Sequence, residues 1–220
     1  MVLLAQLFDE RYYLHQNPDI TAAIRAGFLN SGYQHFVSFG LAEGRSPSAL
    51  YNEAFYLTNN PDVERAVANS SLASDLEHFL LFGHEEARDP SNLFSQEDYL
   101  TNHPNVAAAV DAGFLQSAFE HYIEFGVNEN RLPGLSLYNE AYYLQKNPDV
   151  ANAVAANAFV DGFEHFARFG QSEGRTPSKL YNEANYLAMN PDVNSAVVAG
   201  AFTSGFQHYE MFGRFEERRL

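Results

Sequence analysis

Five histidines stand on one ruler: His35, His78, His121, His165 and His208. Ten residues after each comes an arginine, at Arg45, Arg88, Arg131, Arg175 and Arg218. Two residues before each arginine is a glutamate, at Glu43, Glu86, Glu129, Glu173 and Glu216. Twenty-two residues before each histidine is a tyrosine, at Tyr13, Tyr56, Tyr99, Tyr143 and Tyr186. Imidazole, carboxylate and guanidinium invite metal ligation, proton exchange near neutral pH, or anion binding. Zinc needs three or four converging ligands. No second histidine lies three or four residues from any of the five, and the chain has no cysteine. The plainer reading is a structural histidine, hydrogen-bonded to a loop or to the next repeat, with metal ligation or pH sensing as the alternatives. The arginines read as joints between repeats. Their planar forks would seat on the Asp of a nearby Asn-Pro-Asp or on the Glu that opens the next repeat. Anion binding, the alternative, is opposed by a net charge of −15. All fifteen of these His, Arg and Glu positions are thus expected to be structural and inter-repeat. Solvent-facing tyrosines such as Tyr12 and Tyr142 are the candidates for stacking on sugars.

Signatures of catalysis fail in turn. There is no Walker loop, no dinucleotide glycine fingerprint and no Gly-x-Ser-x-Gly elbow. The run His84-Glu85-Glu86-Ala87-Arg88 begins like a metalloprotease helix but ends in Arg, where the second ligand belongs. No helix-loop-helix calcium spacing occurs. A site at the altered middle repeat (Ser95, His103, Asn105) would lack a nucleophile–base–orienter set. A catalytic constellation should be singular, and here each such residue recurs five times. The expectation is no enzyme, no catalytic residue, no resident cofactor and no metal.

The elements that must position these residues come from a repeat of about 43 residues. Five copies span 7–49, 50–92, 93–136, 137–179 and 180–220 of a single repeat domain, 1–220, with one inserted residue between Arg131 and Leu137. Each copy reads as three short helices. The first opens at Asp9, Asn52, Ser95, Asn139 or Asn182, side chains that accept a backbone N–H at a helix start. The second opens at Asn-Pro-Asp (His103-Pro104-Asn105 in the third copy), with Asn as the cap and Pro at the first helical position. The third opens at Ser31, Ser74, Ser117, Asp161 or Ser204, with Gln or Glu three residues on, the pattern of a capping box. Gly40, Gly83, Gly126, Gly170 and Gly213 then end it, where a left-handed residue is favoured. The expected fold is all-α, a solenoid-like stack of five three-helix repeats; one compact bundle of about 15 helices is the alternative.

Composition sets the partners. With 13 Lys+Arg against 28 Asp+Glu, the chain repels phosphate backbones, so no nucleic acid is expected. No apolar run reaches the length of a membrane span, and no signal peptide of the usual form opens the chain. Neither end carries a long polar capping segment, so self-assembly is expected, end to end or side by side, into oligomers or filaments.

The spaced pattern Tyr-Leu…Asn-Pro-Asp-Val…Glu-His-Phe…Phe-Gly…Glu-Gly-Arg-x-Pro is clearest from Tyr143 to Pro177. It resembles a tandem repeat of bacterial, notably cyanobacterial, proteins. There it accompanies RTX-type calcium-binding segments of secreted proteins, and some glycosyltransferases. The resemblance covers residues 7–220 and implies an accessory module, extracellular or at the cell surface. The Gly-Asp-rich calcium nonapeptides of such proteins are not in this sequence. The function expected is a non-catalytic structural or protein-interaction module whose partner is itself or another protein; the alternative is a polysaccharide- or calcium-binding accessory module.

Overall fold

The computed structural model describes residues 2–129, 131–135, 137–216 and 218–220. Met1 and the expected end of the third repeat at residue 136 lie outside them. The protein is all-α, with no strand among the described residues. It forms two compact units, Met1–Gly134 with three repeats and Leu135–Leu220 with two. The boundary falls in the Leu132-Pro133-Gly134 loop, beside the inserted residue.

Every repeat has the three expected helices, and in each the three pack pairwise on one another. The first helix (Glu10–Gln16, Glu53–Asn59, Gln96–Asn102, Glu140–Lys146, Glu183–Met189) is capped as its sequence dictates. Asn52 Oδ1, for instance, accepts the Phe55 N–H at 2.8 Å. The residue before that helix is also tied to the end of its own repeat. Asp9, Asn52 and Ser95 donate their backbone N–H to the carbonyls of Pro47, Pro90 and Pro133, and Asn139 to Pro177. The proline loop therefore closes each repeat on itself.

The second helix (Pro18–Arg25, Pro61–Ala68, Pro104–Asp111, Pro148–Ala155, Pro191–Val198) starts at its proline. Its preceding Asn makes no side-chain cap. The third helix is one α-turn (Gly32–His35 in the first repeat) held by the predicted Ser or Asp cap, as in Ser31 Oγ accepting from the Gln34 N–H. It then widens into a π-helical turn, Phe36–Gly40, and likewise at Phe79–Gly83, Tyr122–Gly126, Phe166–Gly170 and Tyr209–Gly213. The turn is closed by bonds such as Leu41 N–H to Phe36 O at 2.9 Å.

The glycines ending that turn differ from expectation. Gly40, Gly83, Gly126, Gly170 and Gly213 do not take positive φ; the left-handed stop comes four residues later, at Gly44 (68°), Ala87 (57°) and Gly174 (66°). What the first set provides is space. A Cβ at any of the five would overlap the hydroxyl of the repeat's own buried tyrosine, Tyr13, Tyr56, Tyr99, Tyr143 or Tyr186. Those tyrosines are 0% exposed and form the centre of each repeat, and an aromatic so buried contributes on the order of 2–3 kcal/mol.

Within the first unit, the helix Val2–Leu7 packs on the third repeat's π-turn, Tyr122–Gly126. Leu7 is buried, and Leu3 and Leu4 pack against the core. A segment preceding the first repeat thus reaches the third. The second and third repeats meet ring to ring, with Phe79 and Phe119 5.0 Å apart, edge to face, as do the fourth and fifth, with Phe166 and Phe206 5.1 Å apart.

Candidate functional site: the tyrosine–histidine–arginine networks

The buried tyrosine projects from the first helix and the histidine ends the α-turn of the third. The two elements pack together, so the hydroxyl meets His Nδ1. The distances are 2.8 Å for Tyr13–His35 and Tyr56–His78, and 2.9 Å for Tyr99–His121, Tyr143–His165 and Tyr186–His208. Burial raises the tyrosines, to about 12 for Tyr13 and Tyr186, so the phenol keeps its proton and donates it to Nδ1. The imidazole proton then sits on Nε2. That nitrogen faces a glutamate oxygen at 4.0 Å in His78–Glu86, 3.9 Å in His121–Glu129 and 4.0 Å in His165–Glu173.

The same glutamates hold the arginines. Arg88 Nε donates to Glu86 Oε2 at 2.7 Å, and its other two nitrogens form a fork on Asp62 at 2.9 and 2.8 Å. Arg88 Nη1 also donates to Asn60 Oδ1 at 2.9 Å, and Asn60 Nδ2 donates to the Tyr56 carbonyl at 2.7 Å. Arg45 makes the equivalent set with Glu43, Asp19 and Asn17; Arg175 with Glu173, Asp149 and Asn147; Arg218 with Glu216, Asp192 and Asn190. The Asn of Asn-Pro-Asp is therefore a strut between the arginine and the first helix, which explains why it caps nothing. The arginine reaches this place because its N–H bonds the carbonyl of the π-turn glycine five residues back, as Arg88 to Gly83 at 2.9 Å.

All these bonds run inside one repeat. Neither the histidine ring nor the guanidinium spans the junction for which it was expected. Among the described residues, contacts between repeats include the aromatic pairs Phe79–Phe119 and Phe166–Phe206 and, between the second and third repeats, bonds of Gln96 and His84. Gln96 Nε2 donates to the carbonyls of His84 and Arg88 at 3.1 and 2.9 Å, and His84 Nδ1 meets Ser117 Oγ at 3.0 Å.

A second carboxylate role was missed in the sequence. Glu10 accepts the Gly32 and Tyr33 N–H groups at 2.6 and 3.0 Å, capping the third helix of its repeat. Glu140 does this for Gly162 and Phe163, and Glu183 for Gly205 and Phe206. The signal was present in part: Glu and Gly occur together at a spacing of 22 in the first, fourth and fifth repeats, and in the third both change. The second repeat pairs Glu53 with Asp75 and the third pairs Gln96 with Ala118. In the second, Asp75 instead accepts from the Tyr51 hydroxyl, and burial plus the Asp75 charge raise Glu53.

The third repeat departs most. His103 replaces the strut Asn and lies 4.5 Å from the Tyr99 ring, edge to face. Asn105 replaces Asp, so Arg131 makes one bond to it, at 3.2 Å, in place of a carboxylate fork.

Electrostatics follow burial. His78, His121, His165 and His208 are all held below the ordinary 6.5, first by burial and then by the adjacent guanidinium. The guanidinium holds Asp149 down at about 2. Asp161 goes the other way, raised by burial to about 6. A histidine depressed in the folded state binds fewer protons there than when unfolded, so folding stability falls as pH drops below 6.5. Asp161 opposes this between about 6 and 3.8 in the fourth repeat only. Urea unfolding midpoints measured from pH 8 to pH 5 are therefore expected to be flat above 6.5 and to decline below it. A midpoint independent of pH across that range would show that the rings are not held neutral.

Among the described residues no group of three or more His, Cys, Asp or Glu side chains is placed to hold a metal ion, and no helix is long and apolar enough to cross a membrane. No protein-family model, curated protein or solved structure matches this chain. Its function has to be read from its own geometry.

Proposed function

We propose that this protein is a non-catalytic structural or protein-interaction repeat module that assembles with copies of itself, outside the cell or at its surface. One observation carries this reading. The residues with chemical potential spend their polar groups on one another, in the same way in repeat after repeat. Tyrosine bonds histidine, and arginine is saturated by Glu, Asp and Asn. Groups already satisfied in this way hold a repeat rigid and leave little to turn on a substrate.

What faces outward includes aromatic surface. Phe28 and Phe114 are 82% and 85% exposed, and Phe39, Phe82 and Phe125 project half-exposed from three successive π-turns of the first unit. Apolar side chains presented at the repeat period favour contact with a second apolar surface. The resemblance to repeats of bacterial secreted proteins supports the location. Light scattering across a concentration series tests the assembly: the mean mass is expected to rise with concentration, and a particle that stays monomeric at the highest concentration overturns self-assembly.

A second reading, an accessory module that binds polysaccharide, is favoured by one groove in the second unit.

A further inference from the structure

We infer that this groove, in the fourth repeat, binds an anionic polysaccharide, one whose sugars carry carboxylates. The inference goes beyond the scaffold reading and stands or falls independently of it. The groove measures about 670 Å³ and runs between the first helix of the fourth repeat and the turn that leads into the fifth. Asn139, Tyr142 and Gln145 line one side, and Ser178, Lys179 and Leu180 the other. A cleft of that size accommodates a short run of sugar residues.

Charge identifies the ligand class. The chain contains two lysines, Lys146 and Lys179, in a sequence of net charge −15. Both are at this groove: Lys179 lines it, and the Lys146 ammonium lies 5.8 Å from the centre of the Tyr142 ring. Both are exposed, and neither forms an ion pair among the described residues. The network arginines at 45, 88, 175 and 218 are each held by two carboxylates. At this groove the two ammonium groups are the cations placed to meet an outside carboxylate.

The remaining lining suits a sugar. Tyr142 is half-buried and Leu180 is 65% exposed, which offers ring and aliphatic surface to the C–H face of a pyranose. Asn139 uses Oδ1 to cap its helix at 2.8 Å, a bond in which its Nδ2 takes no part, and Gln145 is exposed. Amides of this kind serve hydroxyl groups as donors and acceptors.

The repeat itself supplies the last argument. A function borne by one place must break the periodicity, and the periodicity breaks here. At the position of Tyr142 the other repeats carry Tyr12, Phe55, Asp98 and Asn185; at Gln145, His15, Thr58, Thr101 and Ala188; at Lys179, Ala49, Asn92 and Ser136. The combination of ring, amide and ammonium occurs once.

The test is calorimetric titration of the full chain with polygalacturonate, with neutral amylose and with poly-glutamate, at low and high salt. Saturable heat is expected with polygalacturonate alone, weakening as salt rises. Lys146→Ala/Lys179→Ala and Tyr142→Ala should each weaken it by about tenfold or more. Arg65→Ala, at an exposed position in the first unit, should leave it unchanged. These are surface replacements, and an unchanged thermal midpoint confirms that each variant is folded. No saturable heat, or an affinity indifferent to the lysine pair, overturns the inference. Equal binding of poly-glutamate overturns it in favour of an acidic protein partner.

Discussion

Gly83→Ala is expected to lower the stability of the first unit by about 1–3 kcal/mol. Helix propensity alone gives the opposite sign, since alanine is favoured over glycine by about 1 kcal/mol inside a helix. Gly83 takes no positive φ, so no backbone strain opposes the change. The penalty is steric. The new methyl would overlap the Tyr56 hydroxyl and lie close to the Phe79 ring. Tyr56 is 0% exposed, so it has nowhere to go. Overpacking a tight core costs about 1–3 kcal/mol, and displacing the hydroxyl also strains its bond to His78, worth about 1 kcal/mol. Urea denaturation measures the loss. Tyr56→Phe removes the obstructing oxygen, so Gly83→Ala should cost much less in that background than in the natural one. A neutral or stabilising Gly83→Ala would mean that the glycine is an ordinary helix stop.

His78→Phe is expected to cost about 1–3 kcal/mol at pH 7.5. Ring volume is roughly kept, so the loss is that of the acceptor for a hydroxyl on a fully buried tyrosine. Adding Tyr56→Phe should recover most of it, because replacing both partners by apolar groups leaves nothing unsatisfied. The single exchange should also flatten the decline in stability below pH 6.5, by the share that His78 contributes. A hydroxyl readily served by water would make His78→Phe nearly silent, and the double variant no better than the single.

Much of this fold was legible in the sequence because its causes are local. Asn52 and Ser74 cap helices where their spacing says they must, and Pro61 opens one. The all-α class, the three helices per repeat and the repeat ruler follow from such signals. The direction of the polar bonds did not. In a tandem repeat four of the five arginines find an Asp 26 residues behind, as Arg88 does at Asp62, and Arg45, Arg131 and Arg175 also have a Glu eight or nine residues ahead. Bonds within a repeat and bonds across a junction therefore leave the same periodic trace. Only packing chose between them, by turning the arginine back through its bond to the π-turn glycine.

The glycines were ambiguous for a related reason. A helix stop and a close approach both demand the absence of Cβ, and the sequence records only that absence. The left-handed stop passed unnoticed because it is Gly44 or Gly174 in some repeats and Ala87 in another. Glu10 and Gln96 needed pair comparison, Glu with Gly and Gln with Ala, to show that they serve another helix. The groove at Tyr142 was half visible: the tyrosine was a candidate for sugars, but its conjunction with Lys179 requires the turn to fold back beside it.

The claim at the centre is that the five imidazoles are internal struts, hydrogen-bonded through Nδ1 to a buried tyrosine, and that those of His78, His121, His165 and His208 are neutral at pH 7. Long-range nitrogen–proton NMR of the histidine side chains, followed through a pH titration and an addition of zinc, tests it most directly. The expected result is a bare Nδ1 and a protonated Nε2 at pH 7 for His78, His121, His165 and His208, with midpoints below 6.5 and no saturable response to zinc. Rings that carry their proton on Nδ1, titrate at or above 6.5, or shift saturably with the metal would contradict it.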